Sequence, residues 1–303
     1  MLLRLATRGS PLALWQAGHV ASLLAAAHPG LDVELVTVTT TGDRRPDVPV
    51  WEMGGRGVFV HEVQAAVLAG RADAAVHSAK DLQPVPHPGL CLVAVPRRGD
   101  PRDVLVGAAL SQLPRGATVA TGSQRRRAQL AHLRPDLEFV GLRGNIATRL
   151  ARVPPGGAVV TAMAALTRLG LAPALIEVLG VDVMVPQVAQ GALAVECRLD
   201  DDTSLDLLRP LDEPWSRRCV DTERSFLATI GGACDLPVAG HATGTPDGWV
   251  RLEGLLAAPD GSALVRRSAT GRPDDGVGLG AEVAEMVLAA GGHALLATRG
   301  GRG

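Results

Sequence analysis

Residues 118–141 read TVATGSQRRRAQLAHLRPDLEFVG. A β-branched run at 118–121 is followed by Ser123, a residue type whose side-chain oxygen caps helices. Residues 123–132 then read as a helix, and 138–141 as a second short strand. The pattern repeats at once, with Asn145 before a helix at 146–151 and a strand at 159–161. Strand–helix–strand alternation at this spacing implies a parallel sheet with helices on both faces.

Working outward, the same alternation fills the N-terminal part. Residues 2–6 and 33–39 read as strands. Between them Ser10 caps a helix with Pro11 at its first position. That helix carries Leu14, Val20, Leu23 and Leu24 inward and ends near His28-Pro29-Gly30. A helix at 58–69 and strands at 74–78 and 91–96 follow, and helices run from 162 to 179. Residues 41–57, TGDRRPDVPVWEMGGRG, have no hydrophobic period, and a loop of this length is expected to be a functional lid or disordered. Beyond Leu211 the character changes. Segments 249–257 and 262–269 flank Pro259-Asp260-Gly261 as a hairpin. A helix at 282–290 ends at Gly291-Gly292, and the tail ATRGGRG reads as disordered. The expected fold class is α/β: two βαβ domains forming a clamp, with a smaller C-terminal α+β domain.

Composition narrows the function. The 303 residues suffice for two or three domains. A formal net charge of −1 disfavours nucleic acid as a partner. No apolar run approaches the ~20 residues of a membrane span. The N-terminus, interrupted by Arg4 and Arg8, lacks a signal-peptide core, so a cytoplasmic protein is expected. Cys91, Cys197, Cys219 and Cys234 are far apart in sequence and form no CxxC, which argues against a zinc ribbon.

Arginines gather where strands meet helices: Arg8 before the Ser10 cap, Arg125 and Arg126 after Ser123, Arg143 and Arg149 around Asn145, and Arg168 in LTRLG. A cation beside a helix N-terminus opposes the macrodipole, a cost that a bound anion removes. Together with backbone N–H groups, such arginines make carboxylate sites. Each of them also reads as a solvated charge, the reading preferred for Arg127 and Arg134. Asp81 follows the buried run 74–78 beside Lys80 and is either a desolvated, ionised carboxylate or a helix cap. His77 reads as a core or site-wall residue. Residues 223–240, ERSFLATIGGACDLPVAG, place Cys234 after a helix end at Gly231-Gly232. Glycines there clear space around a thiol, although a buried inert cysteine fits the same spacing.

The 223–240 stretch resembles the cofactor-attachment signature of the porphobilinogen deaminases, also called hydroxymethylbilane synthases. The resemblance continues in order through LATRGSPLALWQA (5–17), GGRGVFVHEV (54–63), DAAVHSAKDL (73–82), GSQRRRAQL (122–130), LRGNIATRL (142–150) and QGALAVECR (190–198). It implies domains resembling type II periplasmic binding proteins, with chain crossings near 95–100 and 186–192. Domain 1 would be 1–95 plus 191–208, domain 2 would be 99–187, and domain 3 would be 211–303. It implies a dipyrromethane cofactor bonded to Cys234 as a thioether, and Asp81 as the catalytic group. Substrate and cofactor carboxylates would be held by Arg8, Ser10, Lys80, Ser123, Arg125, Arg126, Arg143, Arg149, Arg168 and Gln190, with Arg56 in the lid. Porphobilinogen would lose ammonia, the cationic pyrrole would be attacked by the growing chain, and water would release hydroxymethylbilane after four additions. No metal is implied. The resemblance also implies a monomer whose product passes to a uroporphyrinogen III synthase. Departures are Glu52 and Arg56 where lysine is usual, Gln83 for proline, Ala189 for glycine and Leu236 for a β-branched residue. None removes a residue on which the chemistry depends. A non-catalytic carboxylate-binding clamp would need neither Asp81 nor Cys234. A ligand-sensing regulator of nucleic acid would need a basic extension, and none is present.

Overall fold

The computed structural model describes residues 1–45, 57–231 and 236–300. First come β1 (Leu2–Arg8), α1 (Pro11–Ala27), β2 (Asp32–Val38), α2 (Thr41–Arg44), α3 (His61–Leu68), β3 (Ala74–Ser78) and β4 (Leu90–Ala94). Then follow β5 (Asp103–Val106), β6 (Thr118–Ala120), α4 (Gln124–Leu133), β7 (Glu138–Val140), α5 (Ile146–Leu150), β8 (Ala158–Ala162), α6 (Met163–Arg168) and β9 (Ile176–Val178). The remainder is β10 (Leu193–Arg198), α7 (Asp202–Leu208), α8 (Pro214–Ile230), β11 (Val238–Gly244), β12 (Val250–Ala257), β13 (Leu264–Gly271), α9 (Gly276–Val287) and α10 (His293–Gly300).

Two five-stranded sheets share one plan. The first runs β2-β1-β3-β10-β4 and the second β7-β6-β8-β5-β9. In each, three parallel strands are followed by one antiparallel strand and an edge strand. The antiparallel strand is always the first one after the chain crosses from the other sheet: β5 after β4, and β10 after β9. β3 and β8 are almost wholly buried, as the covered centre of a parallel sheet requires. This is the α/β clamp expected above. The third sheet, β11-β12-β13, is an antiparallel meander covered by α8 and α9. Phe226 of α8 lies fully buried against the backbone of Gly254, where an added Cβ would fall 2.4 Å from its ring.

Several expectations need correction. Leu14 is 38% exposed, because α1 turns Ala13, Gln16, Ala17, Val20 and Leu24 to the sheet and Leu14 lies one residue, about 100°, off that face. Leu23 is only half-buried. Residues 176–178 form a strand, β9, where a helix was expected; pairing with β5 overrides the local pattern. The helix expected at 282–290 starts earlier, at Gly276, and breaks where expected, at Gly291, whose φ of 116° is left-handed; a further helix, α10, then begins at His293. The expected disordered tail is therefore helical to Gly300, and 301–303 lie outside the described residues. The segment Gly276–Ala297, 22 residues with an apolar stretch of mean hydropathy 1.3, is broken at Gly291 into α9 and α10. Leu279, Val283, Ala284 and Val287 in that run pack in the same core as Phe226, as in a core helix of a globular domain.

Candidate functional site

Between the first two sheets lies a cleft of about 440 Å³. Its walls come from the carboxyl ends of parallel strands, where an open α/β sheet places ligands. Arg8 ends β1. Ser10 caps α1 by accepting from the Ala13 N–H at 3.3 Å. Ser123 caps α4 by accepting from the Arg126 N–H at 3.4 Å, and Asn145 caps α5 by accepting from the Thr148 N–H at 2.9 Å. All four residues line the cleft, together with Lys80, Asp81, Arg126, Arg143 and Arg149.

Lys80 and Asp81 sit on a single 3-10 turn, Ala79–Asp81, directly after β3. The turn is pinned by the Ala79 N–H, which donates to Ala192 O of the returning chain at 3.0 Å. Lys80 Nζ donates to Gln190 Oε1 at 3.2 Å. Burial, then the nearby Arg126 guanidinium, push the Lys80 ammonium down to about 8, although Asp81 and Asp103 favour its charge. Asp81 faces the cleft and acts electrostatically on Lys80 and Arg149. Among the described residues no hydrogen bond reaches its carboxylate.

Beneath the cleft floor lies a carboxylate that sequence reasoning missed. Asp103 opens β5, is fully buried, and accepts from Arg125 Nη1 at 2.7 Å, Arg126 Nε at 2.9 Å and Gln190 Nε2 at 2.8 Å. Burial alone would raise this carboxyl. The Arg125 and Arg126 guanidiniums outweigh burial and hold it well below the usual carboxylate range. Arg125 also donates to Val185 O at 2.8 Å and does not line the cleft. Gln190 likewise lies below the cleft, donating to Pro101 O at 2.7 Å. Of this group only Arg126 reaches the cleft surface. The one signal in the sequence was an aspartate opening the apolar run Asp103-Val104-Leu105-Val106.

The remaining cations differ in their surroundings. Arg149 donates to Gly144 O at 2.8 Å and is pushed down to about 10 by burial and by the like charges of Arg126 and Arg143. A bound anion would relieve that repulsion. Arg168 is not in the cleft wall. It donates to Gly191 O at 2.6 Å and lies over the Trp15 ring, 5.6 Å from its centroid, which links α6 to α1. Arg8 is forked onto Asp43 through Nε and Nη2, with its guanidinium 4.1 Å over the Phe59 ring.

The two crossings between the sheets are tied to α8. Glu223 is fully buried and accepts from Arg98 Nη1 at 2.7 Å, the Ala189 N–H at 2.6 Å and the Ala242 N–H at 2.7 Å. Its carboxyl is held at about 2: burial would raise it, but Arg98 and His241 outweigh burial. Ala189 has a φ of 59°, the left-handed region where glycine is favoured, which accounts for the usual glycine there. Arg224 donates to Gln83 O at 2.8 Å, two residues past Asp81. Helix α8 ends at Gly231 with a φ of 97°. Cys234 and Arg56 lie outside the described residues.

Residues 3–206 match the family model described as porphobilinogen deaminase, dipyromethane cofactor binding domain, and residues 217–289 match that of the porphobilinogen deaminase C-terminal domain. A protein named porphobilinogen deaminase from Syntrophotalea carbinolica is 44% identical over 300 residues, covering 97% of this chain and 95% of the relative. One of the same name from Roseiflexus castenholzii is 47% identical over 300 residues, covering 97% and 98%. Among solved structures, the methionine binding protein MetQ is similar at 15% identity with a TM-score of 0.43, covering 77% of this chain and 96% of that one.

Proposed function

The chain belongs to the porphobilinogen deaminase family, and from that premise we propose how named residues divide the work in its cleft. It is a hydroxymethylbilane synthase, a transferase of tetrapyrrole biosynthesis. It condenses four porphobilinogen molecules stepwise, releasing ammonia, on a dipyrromethane cofactor, and hydrolysis then frees linear hydroxymethylbilane.

One observation carries the assignment of roles: Arg8, Lys80, Arg126, Arg143 and Arg149 converge on a cleft that also holds the Asp81 carboxylate. Porphobilinogen and the dipyrromethane both bear acetate and propionate arms, so a cation-lined cleft suits them. When bound, the dipyrromethane supplies the pyrrole carbon onto which substrate is added. Arg126, Arg143 and Arg149 bind carboxylate arms, with Ser10 and Ser123 presenting helix N-termini. Lys80 adds a positive charge, positioned by Gln190. Arg125, Arg168 and Gln190 act from behind, through Asp103, Trp15 and Lys80. Asp81 faces the substrate pyrrole. As ammonia leaves, positive charge spreads over that ring, and a carboxylate facing it in the cleft stabilises it and accepts the ring proton after attack. Cys234 holds the cofactor as a thioether, a role supported by its signature and by its position just past the end of α8. Arg56 belongs to the lid.

Sheet membership supports taking 1–95 with 191–208 as one domain, 99–187 as a second and 211–303 as a third. The same reading makes the protein a cytoplasmic monomer that passes product to a uroporphyrinogen III synthase and needs neither nucleic acid nor a membrane. A reducing compartment suits Cys91 and Cys197, whose thiol sulfurs lie 3.9 Å apart across β4 and β10.

Intact mass spectrometry of the denatured protein, beside Cys234→Ser, tests the attachment. An excess mass of two linked pyrroles is expected in the parent and absent in the variant. Retention of that mass in Cys234→Ser places the bond elsewhere. If the parent is unmodified, a second mass after incubation with porphobilinogen is expected to show loading, and failure to load would sink the proposal.

A further inference from the structure

Arg8 sits in the carboxylate-binding wall, yet its guanidinium fork already holds a carboxylate of the protein itself. Asp43 is engaged by both Nε and Nη2 of Arg8. The face of the guanidinium lies 4.1 Å over the Phe59 ring. Arg8, Asp43 and Phe59 all line the cleft. Asp43 and Asp81 are the two carboxylates among the described residues of the cleft wall, and they differ in their ties. No hydrogen bond from a described residue reaches Asp81, whereas Asp43 takes the geometry of a bound carboxylate.

We propose that Asp43 is an internal stand-in for a substrate carboxylate: it occupies the Arg8 subsite until an incoming acetate or propionate arm displaces it, and so sets the affinity of that subsite. This rests on reading Arg8 as a substrate-binding residue. Three features favour displacement over a fixed structural pair. The pair is about one-quarter exposed, with side-chain exposures of 23% and 25%, and borders the cleft, so the released Asp43 carboxylate can reach water. A pair with this exposure is partly screened by solvent, and an incoming ligand with several carboxylates can compete for the fork. Asp43 also rides on α2, a helix of four residues rather than a sheet strand. Its second partner, Thr40, donates from Oγ1 at 2.7 Å and accepts from the Asp43 N–H at 3.3 Å, and it can keep the turn capped once Arg8 is released. Gly42 fits the same picture. An added Cβ there would fall 2.1 Å from the Phe59 ring, so the turn lies directly against the ring over which Arg8 is placed.

The test is calorimetric titration of holoenzyme with a porphobilinogen analogue bearing methyl in place of aminomethyl. It keeps both carboxylates and cannot lose ammonia. Asp43→Asn keeps an acceptor for Thr40 but removes the charge, and is expected to bind the analogue about twofold to fivefold more tightly. In steady-state assays KM should fall without a rise in kcat. Arg8→Gln should weaken binding, and adding Asp43→Asn to it should change nothing further. If Arg8→Gln weakens binding but Asp43→Asn leaves it unchanged or weaker, Asp43 is a positioning partner, and the stand-in role is overturned while the subsite stands. If Arg8→Gln binds as the parent does, the Arg8 subsite itself is wrong.

Discussion

The backbone N–H of Ala189 donates to the carboxylate of Glu223 at 2.6 Å, across the boundary between the second crossing and α8. Arg98, from the first crossing, donates to the same carboxylate. One buried side chain of α8 thus fastens both segments that cross between the first two sheets. Helix α8 precedes Cys234 in the chain, so under the attachment proposed above the crossings and the cofactor share an anchor.

Glu223→Gln should therefore be costly. It leaves Arg98 without its charge partner, and breaking a buried pair costs about 3–5 kcal/mol. Urea unfolding should show a loss of that size, whereas Glu253→Gln, at a half-buried pair with Arg266, should lose less than about 1 kcal/mol. The Glu223 carboxyl stands at about 2, below its unfolded value, so its stabilisation is present above the ordinary glutamate range of ~4.3. That contribution is lost as pH falls from there towards 2. The parent should lose stability through this window more steeply than Glu223→Gln.

Asp81→Ala should fold and load cofactor normally, because no described hydrogen bond depends on the carboxylate. Turnover should fall by about a hundredfold or more, the scale of losing a group that stabilises developing charge. Near-parental turnover in a porphobilinogen assay would remove Asp81 from the chemistry.

Asp103→Asn should act on stability first. Arg125, only 4% exposed, would keep its burial and lose its charge partner, at a cost of about 3 kcal/mol or more. Thermal unfolding reads this directly. Because Arg126 leans on the same carboxylate, the KM for porphobilinogen should rise as well.

Lys80 gives the cleft an alkaline limit. Its ammonium is held down to about 8, so its charge is lost as pH rises through that value, and affinity for carboxylate ligands should decline there. Lys80→Gln should flatten that decline. The linkage to folding has the opposite sign. Between about pH 8 and 10.4 the unfolded chain holds the proton that the native state has released, so this group's contribution to stability rises with pH.

Much of this was legible from local chemistry. Ser10, Ser123 and Asn145 cap the helices they precede, and the arginines next to them come together in space because helix N-termini in such sheets point to one side. What local chemistry could not say is which neighbour faces in. Arg125 and Arg126 are adjacent and both are buried against Asp103, but consecutive helix residues point about 100° apart, and only Arg126 also lines the cleft. Asp103 itself was hidden because its partners lie 22, 23 and 87 positions away. β5 and β9, of four and three residues, are too short to show a period, and only pairing with one another and with β8 makes them strands. Leu14 failed for the converse reason, an apolar residue one step off the packed face.

The exchange of strands between the first two sheets bears on how the molecule is made. On the ribosome, the first sheet lacks the strand between β3 and β4 until Arg198 has left the exit tunnel, because β10 follows the whole second sheet in sequence. The second sheet needs only residues 103–178. The half that is synthesised later can therefore be completed earlier, and the nascent N-terminal half must wait with β3 unpaired on one side for its last strand to arrive.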